Sequence, residues 1–190
     1  MIASGILALF FGALTWTFLE YVIHRWLGHD QRFRPNLFAK EHVRHHIEGG
    51  YFAPAWKKGL AAVVITLVLA GPAVLLLGWS TGFAYVGGLV GFYLLYEILH
   101  SREHTHPGLG AYGRWARGHH FYHHFTDARF NHGVTSPIWD LVFRTYRVPG
   151  TIRVPERLCM VWLKDEETGD IRAEHAWRFE LRRSRAQVAA

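Results

Sequence analysis

Two stretches of this chain carry no charge at all, and they restrict the fold before anything else is weighed. Met1 to Leu19 is one, and Gly59 to Tyr96, 38 residues long, is the other. A helix needs about 20 mostly apolar residues to cross a bilayer core, so the first stretch fits one span and the second fits two. The expected spans run from about Ile2 to Ile23, Gly59 to Gly78 and Gly82 to Leu99, with Pro72 placed to kink the second. A chain of 190 residues is then one membrane domain with a small appendage.

Charge placement orients the spans. The formal net charge is +6, and all 21 Lys and Arg lie in two segments, Arg25 to Lys58 and Arg102 to Arg185. The link around Trp79-Ser80-Thr81 has none, so the positive-inside rule puts both basic segments in the cytoplasm and the link outside. Nucleic-acid binding would need a basic face on a soluble fold, which this distribution does not offer. Cys159 is the sole cysteine, excluding an intrachain disulfide and a thiolate metal site. The N-terminus lacks the positive n-region of a cleavable signal and is expected to stay as an anchor.

Histidines collect where the spans leave the membrane. His42-Val43-Arg44-His45-His46 and His120-Phe121-Tyr122-His123-His124 each hold a histidine followed three and four residues later by two more. On a helix those positions share a face, so each trio is expected to converge on one point. His100 and His104, four apart, leave the third span together. His24 and His29 are five apart, about 140° around an α-helix, so either Gly28 ends the helix and turns His29 back or the two serve different metals. With three spans and the N-terminus outside, all 14 histidines fall on the cytoplasmic side. The ten at these spacings are His24, His29, His42, His45, His46, His100, His104, His120, His123 and His124. One ion rarely takes more than about six ligands, so two ions with four or five imidazoles each is the economical reading.

Other polar residues are candidates to hydrogen-bond to these ligands: Glu20, Glu97, His106, His119, Asn131, His132 and Asp140. Glu20, one turn before His24, is placed to accept its second ring N–H; its alternative is an interfacial charge at a helix end. His106 and His132 read equally well as solvated loop residues. His106-Pro107-Gly108 is similar to the haem-binding tripeptide of cytochrome b5, without a domain of that size around it.

The boxes HRWLGH, HVRHH, HSREH and HFYHH, followed by NHGVTSPIWDLVF, resemble the fatty acid hydroxylase/sterol desaturase superfamily over about Leu19 to Tyr146. The resemblance implies a mainly α fold: a bundle of about three transmembrane spans with a cytoplasmic helical cap holding a histidine-rich dimetal site. It implies two non-haem iron ions, with zinc an alternative occupant, and O2-dependent hydroxylation or desaturation of a lipid such as a fatty acyl chain or sterol. The lipid would enter from the bilayer, with Tyr21, Trp26, Tyr96 and Phe121 as candidate substrate walls. The setting would be a bacterial inner membrane or its equivalent. Thr105-His106 departs from the adjacent histidines many fatty acid hydroxylases have there. No cytochrome b5 domain is fused, so a separate donor, cytochrome b5-like or a ferredoxin with its reductase, is expected. Carotenoid hydroxylases resemble the same small frame.

Residues 1–149 are read as the catalytic domain and 150–190 as the appendage. In the latter, Leu158 to Leu163 is rich in strand formers, Asp165 to Asp170 reads as a turn, and Ile171 to Leu181 alternates with a period of two, so a β-hairpin is expected. His175 falls on its apolar face, in a structural role. Two non-oxygenase readings compete. A transporter would need polar ligands near the bilayer midplane, which the second and third spans lack; a structural zinc protein would share the same histidines.

Overall fold

The computed structural model describes residues 2–183. Three helices are long and apolar enough to cross a membrane. The first, α1 (Ile2–Val22), runs without a break into a π-helical turn, Ile23–His29. The other two, α3 (Ala55–Leu77) and α4 (Trp79–Thr105), are separated by Gly78 alone, whose φ of 78° permits so abrupt a reversal. Large apolar side chains on their outer faces, among them Phe10, Leu67, Leu76 and Ile98, are exposed, as lipid-facing positions would be. α3 continues through Pro72.

α1 and α4 lie parallel and in backbone contact. A Cβ on Gly12 would strike the Tyr85 carbonyl and the Leu89 nitrogen, and one on Gly88 would strike the Leu9 carbonyl. Small residues of this kind let membrane helices approach until their backbones touch. Trp16, Leu89 and Tyr93 then bury against each other, and both helices deliver their histidine-bearing ends to the same end of the bundle.

Two further helices complete that end. α2 (Leu37–Glu48) starts where the Asn36 side chain accepts the Ala39 N–H at 2.7 Å and stops at Gly49, which has φ 65°. α5 (Gly110–Phe125) carries the second trio, and the short α6 (Ile138–Val142) follows Pro137. Trp139 of α6 donates to Thr17 Oγ1 at 2.9 Å, fixing α6 against α1.

The appendage contains a two-stranded sheet, but its pairing corrects the expected hairpin. β1 (Ile152–Pro155) and β2 (Phe179–Arg182) are parallel, with Ile152 opposite Phe179. The antiparallel element is reduced to one bridge, Lys164 with Ile171, around the turn at 165–170. Burial explains this. In the 158–163 run the buried side chains are Met160 and Leu163, three apart, with Leu163 N–H bonding Met160 O, which is the geometry of a tight turn. Within 171–181, Ala173–His175 form a 3₁₀ turn and Trp177 stays exposed, so the alternating run becomes strand at Phe179 and not before. His175 packs its ring against Trp162. Phe121 of α5 sits in one core with Ile152, Val154, Met160, Leu163 and Phe179. The last seven residues of the expected appendage lie outside the described residues.

Candidate metal centre

The ten spaced histidines meet at the end of the bundle in two groups of five. His24, His29, His42, His46 and His123 form the first; His45, His100, His104, His120 and His124 form the second. Within each group the nearest ring nitrogens all lie within 4.8 Å of one another. The groups adjoin, with the His46 and His124 rings stacked at 4.0 Å.

Local geometry explains who joins whom, and it corrects two expectations. Each trio is divided rather than convergent. On an α-helix, position i+4 lies about 40° to one side of i and i+3 about 60° to the other. His42 and His46 therefore turn to the first group and His45 to the second, while His120 and His124 turn to the second and His123 to the first. The other correction concerns His24 and His29. The chain does not end its helix at Gly28; it widens into a π-turn, whose i to i+5 bonding sets residues five apart above one another. Gly28 has another task, since a Cβ there would come within 3.0 Å of the His42 ring.

Tautomers make the groups chemically explicit. His24 Nδ1 bonds the His132 carbonyl at 2.5 Å, His123 Nδ1 the Phe130 carbonyl at 2.8 Å, and His45 Nδ1 the Tyr51 carbonyl at 2.7 Å. A carbonyl only accepts, so each Nδ1 carries the ring's hydrogen and each Nε2 presents a lone pair. His24 Nε2 and His123 Nε2 nonetheless face each other at 3.0 Å. Further Nε2 pairs stand at 2.8 Å (His29 and His42) and 2.9 Å (His104 and His120). Lone pairs converging this closely fit a cation between them, and neutral imidazole suits iron, zinc or copper. Burial holds the imidazoles neutral: His45 is drawn down to about 4 and His46 to about 3, while His42, His120, His123 and His124 lie well below 6.5, neighbouring imidazoles adding to the effect in all but His45.

The supporting polar residues sort differently from expectation. Glu20 does not reach the His24 ring; it accepts the N–H groups of Val134 (2.5 Å) and Thr135 (2.9 Å) and the Thr135 hydroxyl, tying the loop after α5 to α1. Asp140 is the hub of that loop. It accepts from His132 N, Gly133 N, Thr145 Oγ1 and His119 Nε2, and those donors hold its carboxyl far below the usual range despite burial. His132 supports the centre through its carbonyl on His24, and His119 is fully buried against Asp140. Asn131, at φ 58°, pairs with Arg147 through both backbone groups of that residue. Glu97 pairs with Lys58 and His106 is exposed beside Thr105, so neither touches the centre.

Of the expected wall residues, Tyr96 stacks on His100 at 5.6 Å and faces the bundle interior through Trp16. Phe121 borders His104 at 5.2 Å from the appendage side. Tyr21 is buried in a hydrogen-bond chain from Arg25 to Thr145, and Trp26 sits half-buried in the π-turn. One residue that the sequence did not single out stands beside the second group. Glu103 is buried between His100 and His104 in sequence, with its Oε2 4.0 Å from His120 Nδ1. Its signal was available in HSREH, where an acid sits inside a box that enters a buried site.

A family model for fatty acid hydroxylase matches residues 9–145. A fatty acid 2-hydroxylase of Mus musculus is 32% identical over 145 residues, covering 70% of this chain and 38% of its own. A dihydroceramide fatty acyl 2-hydroxylase of Arabidopsis thaliana is 33% identical, over 74% of this chain and 60% of its own. A solved structure described as full-length scs7p, with only its hydroxylase domain visible, matches in fold with a TM-score of 0.57 and 24% identity, over 75% of this chain and 57% of that one. The chain thus spans less than two thirds of each of these relatives' length.

Proposed function

This chain belongs to the fatty acid hydroxylase family, and from that membership we propose that it is an integral-membrane, non-haem di-iron oxygenase that hydroxylates the acyl chain of a lipid. The observation carrying the proposal is the meeting of two groups of five imidazoles at one end of a three-span bundle. The similar proteins are named as fatty acid and dihydroceramide fatty acyl 2-hydroxylases, which favours hydroxylation over desaturation and the carbon next to the acyl carbonyl as its target. Bound iron would supply O2 activation and attack on an unactivated C–H bond, chemistry no side chain here performs alone.

The chain's own residues set the conditions for that reaction. Carbonyls fix the tautomers of His24, His45 and His123, so their Nε2 lone pairs are aimed before any ion arrives. The Glu20 and Asp140 contacts hold the loop that supplies the His132 carbonyl. The core around Phe121 excludes water on the appendage side. The acyl chain would approach between the spans, where a narrow apolar gap lies among Trp16, Ala62, Ile65, Leu89, Val90 and Tyr93, one turn from Tyr96. Residues 1–149 would be the catalytic unit, its site facing the cytoplasm of a bacterial inner membrane or its equivalent, as the basic segments favour. Electrons would come from a protein donor outside these 190 residues, cytochrome b5-like or a ferredoxin with its reductase.

The test joins metal content to lipid analysis for wild type, His45→Ala and His120→Ala. About two irons per chain and 2-hydroxylated acyl chains in expressing cells are expected, both lost in the variants. Well-folded wild type without metal would overturn the centre. Iron-loaded protein that leaves lipids unchanged with a competent donor would overturn the reaction.

A further inference from the structure

Glu103 is 2% exposed, and neither of its carboxyl oxygens has a hydrogen-bond partner among the described residues. A buried carboxyl in that condition is costly, and such a group calls for an explanation. A complementary orphan lies beside it. Among the described residues the buried His120 Nδ1 has no hydrogen-bond partner, and it is 4.0 Å from Glu103 Oε2. Closing that gap to a hydrogen bond takes a movement of about 1 Å.

The first group shows what is missing in the second. His24 and His123 each have Nδ1 seated on a backbone carbonyl. In the second group His45 has such a carbonyl, while among the described residues His120 and His124 have Nδ1 atoms without partners. Arg117, three residues before His120, gives its donors to the carbonyls of Arg102, His106 and Gly113. It therefore leaves the Glu103 oxygens free while placing a positive charge nearby. An acceptor is needed where Glu103 stands, and either protonation state of a carboxyl provides one.

We propose that Glu103 is a positioning residue for the second imidazole group: its carboxyl accepts the His120 Nδ1–H, turns His120 Nε2 inward and makes the two metal positions unequal. The first position is then backed by neutral carbonyls and the second by a carboxyl beside the Tyr51 carbonyl, and a carboxyl partner raises imidazole basicity. The inference rests on the dimetal reading above, but it concerns a side chain that reading does not use.

The experiment is Zn2+ binding by chelator competition, with Co2+ absorption spectra as a second readout, on purified full-length wild type, Glu103→Gln and Glu103→Leu. Wild type is expected to take about two ions, and Glu103→Leu to weaken one binding step by roughly 10–100-fold while leaving the other unchanged. The Co2+ spectrum should shift with that step alone, and Glu103→Gln, which keeps an acceptor oxygen, should recover most of both. If Glu103→Leu does not fold, Glu103→Asp, with its acceptor drawn back, must weaken the same single step. Two unchanged steps, or equal weakening of both steps in every variant, would overturn the proposal and leave the dimetal reading standing. A folded wild type that binds neither metal would overturn both.

Discussion

A histidine whose Nδ1 donates to a carbonyl cannot also donate through Nε2 while neutral, and His24, His45 and His123 are all so placed. Burial disfavours a proton on the His45 and His46 rings, which gives the metal-free protein a marked acid sensitivity. Burial draws His45 down from 6.5 to about 4 and His46 to about 3, so between those values the unfolded chain binds more protons. Their contribution to stability is complete above about pH 6.5 and is lost as pH falls toward the folded values, by up to about 1.4 kcal/mol per pH unit for each. Thermal melts of metal-free protein from pH 7.5 to 5 should show a falling Tm; a flat profile would contradict the burial described. Asp140→Ala should cost roughly 3–5 kcal/mol in denaturant titration, since it strands the buried donors of His132, Gly133, Thr145 and His119 at once. Sequence spacing found the ten histidines, because a helical face is local. It did not divide each trio between two groups, because that depends on which neighbours approach from either side, and it passed over Glu103, whose burial only tertiary packing creates.

Among the elements, two backbone devices set the distances. The π-turn at Ile23–His29 pairs histidines five apart, and no residue in IHRWLGH announces it; read as an α-helix the same letters separate them. Gly28 lies under His42, so Gly28→Ala should push that ring and weaken the first metal position, with the second unaffected in a Zn2+ competition assay. The Gly12 and Gly88 contacts are the other device. Gly88→Leu would drive a side chain into the Leu9 backbone, where nothing flexible can yield, and should abolish monodisperse folded protein in size-exclusion chromatography while Gly87→Leu, in open space, does not. Local signals fix the shorter helices: the Asn36 cap, which reads as loop in the sequence, and Gly49 bound α2, and Pro137 opens α6.

For the whole molecule, the count of three spans follows from uncharged length, so that part of the architecture was readable from the first. The parallel sheet was not. Its strands are 24 residues apart in sequence, from Pro155 to Phe179, and their pairing is decided by a core centred on Phe121 rather than by any turn between them. Deleting residues 150–190 should strip Phe121 and remove the Trp162 bond to the His104 carbonyl, lowering Tm and speeding metal loss to a chelator about tenfold or more from the second position. Position along the chain gives this covering a temporal meaning. Every histidine of the two groups precedes Ile152, so the segment that closes over the second group is the last part of the site to be synthesised. Metal present before that covering settles would meet a more open second group, so supplying metal during expression should load the protein faster than adding it to purified metal-free protein.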